Sequence, residues 1–341
     1  MAANKPLTIG EYTINPGERI SLSLPVADLY TATSLSMPVK VISGRRAGPV
    51  LFVSAAVHGD ELNGVEIIRR LLKRKALSSI RGTLVAVPIV NVHGFLDQSR
   101  YLPDRRDLNR SFPGTAKGSI ASRLAHLFTR EIVAKANFGI DLHTGAINRS
   151  NLPQIRANLD DKATLEIAKA FGAPVIINSK LLDGSLRAYA AEKHLPILIY
   201  EAGEALRFDE VGIRGGIRGI LNVMRNIGML PAKARSKKVA PVIAKSTSWV
   251  RAPASGIVGG KVKLGNSVSK GEKMAVISDP LGNAENVVAA PFDGIVIGCS
   301  NLPLALEGDA LFNVASFKDV AQAEDLVGTF TEVHDVESSP V

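Results

Sequence analysis

The sequence predicts an α/β fold, a mixed sheet flanked by helices, followed by a smaller all-β domain. Three observations carry this. Between residues 49 and 230 short apolar runs alternate with segments of helical period, as expected of strands and helices stacked in layers. A basic stretch, "PAKARSKK" at 231–238, then interrupts the pattern and reads as part of an exposed linker over 231–245. Beyond it, short β-type runs separated by Gly and Pro turns repeat themselves.

Residues 1–45 are read as an N-terminal β-rich extension, and residues 46–230 as the main domain. "PVLFVSAAV" (49–57) is a buried strand, and "ELNGVEIIRRLLKRKAL" (61–77) follows as a helix with Val65, Ile68, Leu71 and Leu72 on one face. "GTLVAVPIV" (82–90) is the next strand, and residues 91–114 form a polar loop rich in Arg, Asp and Pro. "SIASRLAHLFTREIVAKA" (119–136) returns to helical period, and "FGIDLHTG" (138–145) ends a short strand in a turn. "APVIIN" (173–178), a helix around 184–194 and "PILIYEAG" (196–203) repeat the theme. "GIRGGIRGILNVMRNIGML" (212–230) is a helix with Ile217, Ile220, Leu221 and Met224 on one face. Its glycines four apart suit close helix packing better than a phosphate cradle.

In the C-terminal part "APASGIV" (252–258) recurs as "APFDGIV" (290–296), and "KGEKMAVI" (270–277) is echoed by "EGDALFNV" (307–314). Two copies about 38 residues apart predict a small β-barrel of two similar halves over residues 246–317. This pattern resembles the biotinyl/lipoyl-like barrel-sandwich domain. Carriers of that type present a lysine between the halves, and here no lysine lies between Lys273 and Lys318. The barrel is therefore expected to cap or oligomerise rather than carry a prosthetic group, and a homo-oligomer is expected. Residues 318–341 read as a C-terminal tail.

Hydrophobic residues make up 46% of the 341-residue chain and charged residues 21%, a soluble globular composition. The longest apolar stretches are too short to span a bilayer, so no membrane partner is expected. The N-terminus shows no basic patch followed by an apolar core. Cys299 is the single cysteine, which leaves no intramolecular disulfide and no thiolate metal site. A cytoplasmic location follows as the simplest expectation. The net charge of +9 is uneven: residues 246–341 hold 6 basic and 12 acidic residues, leaving 35 and 20 for residues 1–245. A basic N-terminal part suits small anionic substrates. Aromatics are only 5% and do not interleave with basic runs, so no nucleic-acid partner is expected.

The chemistry begins at "AAVHGDELNG" (55–64), where His58 and Glu61 stand at a strand-to-helix junction. Residues three apart there can aim at one point, although an ordinary helix start also favours an acid. A hydrolytic metal site needs three protein ligands and an open position, and two His with one Glu is an established set. "DLHTG" supplies His143 at a second strand end, where α/β folds place their sites. The other histidines fit less well: His93 lies in a different polar loop, His126 and His194 in helical stretches, and His334 in the tail. "IYEAG" sets Glu201 at the end of an apolar strand, a costly place for a carboxylate without a task. It is the candidate general base, whereas Glu204, past the Gly203 turn, is expected to face solvent. In "SRYLPDRRDLNRSFPG", Asn109 and Arg110 can hold a substrate carboxylate. A further arginine there can polarise a carbonyl, and Asp107 can fix a ligating imidazole.

Taken together, H-x-x-E at 58–61, "DLNR" at 107–110, "DLHTG" at 141–145 and "EAG" at 201–203 resemble the succinylglutamate desuccinylase/aspartoacylase family. That family is a branch of the zinc carboxypeptidase-like fold, and the bacterial N-acetyl-diaminobutyrate deacetylase-like members are especially similar. The resemblance covers roughly residues 45–230. It implies one Zn2+ per chain bound by His58, Glu61 and His143, with Glu201 as general acid/base. Asn109 and Arg110 would then bind the substrate carboxylate, and Asp107 would support His58. The Arg-Tyr of such members points to Arg100 as the carbonyl-polarising group, with Arg105 and Arg106 as alternatives because the spacing here is longer. The implied reaction is hydrolysis of a small anionic N-acyl amino acid to a carboxylate and a free amine. Two other readings remain: a zinc carboxypeptidase acting on peptides, and a non-catalytic binding or scaffold protein with a degenerate site.

Overall fold

The computed structural model describes residues 2–232 and 241–335, so most of the basic stretch at 231–238 lies outside the described residues. Chain order begins with the hairpin β1 (Leu7–Ile9) and β2 (Tyr12–Ile14), then β3 (Arg19–Asp28) and β4 (Ser34–Ser43). The main domain continues with β5 (Arg46–Ala55), α1 (Asn63–Leu71), β6 (Arg81–Val87), α2 (Val92–Leu96), α3 (Ile120–Glu131) and β7 (Phe138–Gly145). It ends with β8 (Arg149–Ala157), α4 (Lys162–Phe171), β9 (Val175–Asn178), α5 (Leu186–Glu192), β10 (Ile197–Glu204) and α6 (Glu210–Asn226).

Strands β10, β7, β5 and β6 run parallel at the centre of one mixed sheet, with β8 antiparallel beside β10. Side chains on β5 alternate, as a strand buried on both faces requires. Leu51, Val53 and Ala55 pack on Ile67, Ile68, Ile213 and Ile217 of α1 and α6, while Phe52 points to Leu124 and Phe128 of α3. The mixed sheet flanked by helices is the architecture predicted. The N-terminal strands extend this sheet, since β4 pairs with β6 and β3 with β4. Residues 149–172, which drew no assignment from the sequence, hold β8 and α4. The polar loop at 91–114 contains the short helix α2 and a turn of 3-10 helix at Leu108–Arg110.

The glycines of α6 serve packing. A Cβ at Gly215 would strike Phe330, one at Gly216 would strike Ile67 and Tyr200, and one at Gly219 would strike Phe171.

The C-terminal part comprises β11 (Val242–Ala244), β12 (Ser246–Arg251), β13 (Gly256–Gly259), β14 (Ser267–Val268), β15 (Lys273–Ser278), β16 (Glu285–Ala289), β17 (Gly294–Ser300), β18 (Leu304–Ala305) and β19 (Ala310–Ser316), then α7 (Val320–Asp335). The two sequence repeats become two antiparallel pairs, β13 with β15 and β17 with β19. They enclose a core of Met274, Ile277, Val288, Val296, Phe312 and Val314.

Two expectations change here. Val242–Ala244, read as linker, is a strand paired in parallel with β9. Residues 320–335, read as tail, form a helix whose Ala323 and Val327 are buried against Ile295, Ile297 and Leu152. The spacing of those apolar residues is helical, but the acidic composition around them masked it.

The C-terminal strands do not stand apart from the main sheet. β17 pairs with β8 through Gly298 with Asn151, Cys299 with Ser150 and Ser300 with Arg149. Hydrogen bonding therefore runs unbroken from β3 to β12.

Candidate active site

Because β5, β7 and β10 are parallel neighbours, their C-terminal ends lie side by side on one edge of the sheet, where open α/β sheets bind ligands. The chain leaves β5 through Ala56, held at φ 51°. Gly59 then passes so close to the Gly94–Phe95 backbone that a Cβ would overlap it. The backbone bonds Val90 N–H to Ala55 O (3.0 Å) and Asn91 N–H to Ala56 O (2.8 Å) fix this turn. It delivers His58 and Glu61, both buried, to the sheet edge.

The ligand-type atoms of His58, Glu61 and His143 lie within 4.8 Å of one another, the one such group found among the described residues. The Glu61 carboxylate sits between the rings: Oε1 is 2.8 Å from His58 Nδ1, and Oε2 is 2.8 Å from His143 Nδ1. Oε2 also accepts the Thr144 N–H at 3.1 Å. On the far side of each ring stands another carboxylate. Asp107 Oδ1 is 3.1 Å from His58 Nε2, and Asp141 Oδ2 is 2.8 Å from His143 Nε2, with Asp141 Oδ1 accepting from Ser54 Oγ at 2.7 Å.

This donor set can be tested against a metal. A neutral imidazole carries one N–H, yet each ring has a carboxylate at both nitrogens. Without a cation, each ring could satisfy both of its carboxylates only by holding an extra proton. Burial alone would lower the pKa of His58, but Glu61 and Asp107 outweigh it and raise it. His143 is raised well above its ordinary value, with Asp141 and Glu61 overcoming burial. Glu61 is pushed far below the carboxylate range, because the two rings outweigh a burial that would raise it. A divalent cation would replace the inward protons, with the outer carboxylates keeping the Nε2–H tautomers. Two His, one Glu and carboxylates behind both rings therefore fit zinc.

A pocket of about 170 Å³ opens beside this group, lined among others by Arg100, Asn109, Arg110, Arg156, Arg187 and Glu201. Glu201 is level with His143 in the parallel β7–β10 register. Its Oε2 accepts from Asn151 Nδ2 (2.8 Å), Arg156 Nε (3.0 Å) and Gln154 Nε2 (3.4 Å). Glu204 does not face solvent as expected: it is half-buried and accepts from Asn148 N–H and Asn301 Nδ2.

Of the three candidate arginines, Arg100 reaches Glu61 Oε1 and Asp107 Oδ2, each at 3.3 Å. Arg105 and Arg106 are exposed and absent from the pocket wall, with Arg106 paired to Asp104 at 3.7 Å. Asp107 also caps the turn that carries Asn109 and Arg110, through Asn109 N–H at 2.8 Å. Asn109 Oδ1 accepts Leu186 N–H (3.0 Å) at the start of α5, and Arg110 is exposed.

The structure adds residues that sequence reasoning missed. Asp141 had a signal, since i and i+2 on a strand share a face with His143. Asn151, Gln154 and Arg156 on β8 and Arg187 on α5 had none, because their strand or register was not legible. Arg187 is buried, donates to Ser179 O (3.0 Å) and Lys180 O (2.9 Å), and has its pKa lowered by burial. A larger cavity of about 300 Å³, also lined by Arg187, has none of His58, Glu61 and His143 in its wall.

Residues 47–227 match the succinylglutamate desuccinylase/aspartoacylase catalytic domain model. The chain belongs to the succinylglutamate desuccinylase/aspartoacylase family. It is 29% identical over 270 residues to N-alpha-acetyl-L-2,4-diaminobutyric acid deacetylase of Halomonas elongata, covering 76% of this chain and 79% of that protein. It is 27% identical over 149 residues to succinylglutamate desuccinylase of Pseudomonas aeruginosa, covering 41% and 44%. Among solved structures, the product-bound ectoine utilization protein EutE (DoeB) of Ruegeria pomeroyi is 26% identical with a TM-score of 0.78, covering 92% of this chain and 98% of that one. Like these family members, the chain is a hydrolase. No helix among the described residues is long and apolar enough to cross a membrane.

Proposed function

We propose that this chain is a zinc-dependent deacylase that cleaves the amide bond of a small N-acyl amino acid, releasing a carboxylate and a free amine. The observation that carries the reading is the His58–Glu61–His143 group opening onto a pocket that Glu201 also lines. The names of the relatives, a deacetylase and a desuccinylase, give the acyl-amino acid class. Pocket size supports it too, since about 170 Å³ suits a small molecule better than a peptide.

Zn2+ held by His58, Glu61 and His143 would supply the Lewis acid that activates water and the acyl carbonyl. Glu201 takes the proton of the attacking water and passes it to the leaving amine. Arg100, already against Glu61 and Asp107, stabilises the oxyanion. Asn109 and Arg110 receive the substrate carboxylate. Arg156 and Arg187 add positive charge to the same wall, which favours substrates with more than one anionic group.

The deciding experiment is metal analysis of wild type and His143→Ala, with turnover of Glu201→Gln on a panel of N-acyl amino acids. The expected results are about one zinc per chain, lost in His143→Ala, and a fall in kcat of roughly 10²–10⁴-fold with metal retained in Glu201→Gln. Absence of zinc from the wild type after zinc is supplied would return the site to a binding role. Full turnover by Glu201→Gln would remove that residue from the mechanism.

A further inference from the structure

Among the described residues, the donors that reach the Glu201 carboxylate are Asn151, Gln154 and Arg156, which all lie on β8 and converge on Oε2. Arg156 also lines the pocket, whereas Asn151 does not. Asn151 is buried, and its Nδ2 makes the shortest of the three bonds at 2.8 Å.

Asn151 is also where the C-terminal part meets the main sheet. Its backbone is paired with Gly203 of β10 on one side and with Gly298 of β17 on the other. A Cβ at Gly298 would lie 3.0 Å from Asn151 Oδ1, so the bare glycine stands beside the oxygen of the carboxamide whose nitrogen donates to Glu201. One residue past the end of β17, Asn301 ties the ends of β8 and β10. Its Nδ2 donates to Glu204 Oε2 of β10 at 2.6 Å and to Ser150 Oγ of β8 at 2.8 Å. Lys261 Nζ anchors that segment through the carbonyls of Ser300, Asn301 and Leu302.

We infer that Asn151 is a positioning residue for Glu201, and that β17 of the C-terminal part holds Asn151 in place through Gly298. With Oε2 fixed by donors, the remaining oxygen of Glu201 is left for proton transfer at the pocket. The C-terminal strands thus complete the catalytic edge of the sheet rather than merely covering it. This rests on Glu201 being the proton-transferring group, as proposed above.

Asparagine and ionised aspartate have the same shape, but aspartate offers Glu201 a like charge in place of an N–H donor, so Asn151→Asp keeps the packing while reversing the contact, and Asn151→Ala removes the donor without adding a charge. On the panel of N-acyl amino acids, Asn151→Asp and Asn151→Ala are both expected to lose kcat by roughly 10–100-fold while KM stays within about twofold and zinc content is unchanged. Gly298→Ala, distant in sequence from every proposed catalytic residue, is expected to show the same split to a smaller extent. Wild-type kcat in Asn151→Asp would overturn the donor role, and wild-type kcat in Gly298→Ala would overturn the part assigned to β17. Thermal unfolding supplies a readout independent of substrate. Asn151→Ala should lower Tm in the native background but not in Glu201→Ala, and additive shifts would remove the contact. Glu201→Gln run in parallel keeps the two ideas apart. If it is fully active the mechanism fails, whereas if it is inactive and Asn151→Asp is not impaired, only the present inference fails.

Discussion

At the scale of single residues the site is a problem in proton placement. His58 and His143 each lie between two carboxylates, and one neutral ring cannot donate to both. Asp141, fully buried and fixed by Ser54, stands 2.8 Å from His143 Nε2, a contact suited to holding the Nε2 proton while Nδ1 faces Glu61. Asp141→Asn keeps the shape and removes the charge. Zinc affinity, measured by competition with a chromophoric chelator, should fall roughly 10–100-fold. Unchanged affinity would mean that the ring orientation is set without Asp141. Much of this was readable beforehand. His58, Glu61, His143 and Glu201 each stand at the end or just beyond the end of an apolar run, and such positions announce themselves because burying a polar group there costs free energy. Asp107 and Arg100 were readable from a motif, but that Arg100 lines the pocket while Arg105 and Arg106 are exposed needed the fold. Spacing does not reveal which guanidinium turns inward.

At the scale of elements, legibility followed apolar patterning. Strands β5, β6, β7 and β10 carry near-continuous buried runs. Strand β8 reads "RSNLPQIRA", and its Asn151, Gln154 and Arg156, whose side chains donate to Glu201, break the apolar pattern that would have revealed the strand. Helix α1 shows a different use of charge. Glu66 accepts from Arg69 and from Arg70, which in turn holds Glu210 of α6 at 2.6 and 2.8 Å. Arg69 foremost, then Arg70, brings the Glu66 carboxyl down from 4.5 to about 2. Since the folded pKa is depressed, the network stabilises fully above pH 4.5 and loses its contribution as pH falls toward 2. Both arginines are partly solvated, which limits the effect. Glu66→Gln should lower Tm by roughly 2–4 °C at pH 7, with the gap to wild type shrinking below pH 4.5. A gap that does not change with pH would assign the loss to packing instead.

At the scale of the whole molecule, the sequence divides where the structure does not. Its charge balance and its texture both change after residue 245, yet β17 continues the main sheet through β8, β11 pairs with β9, and Phe330 of α7 fits against Gly215 of α6. Composition registers what a segment is made of, whereas cooperativity depends on what it pairs with, and pairing across the boundary is invisible to local pattern. The chain's one tryptophan reports on this junction. Trp249 lies on β12, and the Arg149 guanidinium of β8 stands 4.5 Å from its ring centroid. Fluorescence therefore senses the contact between the two parts, while far-UV circular dichroism senses the α/β sheet and its helices. A sheet shared across the boundary has no low-cost line along which to separate, because opening it would strip the β8 edge of its ladder bonds and uncover Leu152, Val175 and Ile177. The two signals should follow one denaturant transition with a single midpoint. A tryptophan transition that precedes the loss of helical signal would mean that the C-terminal part unfolds alone, and it would weaken any role for β17 in holding the catalytic edge.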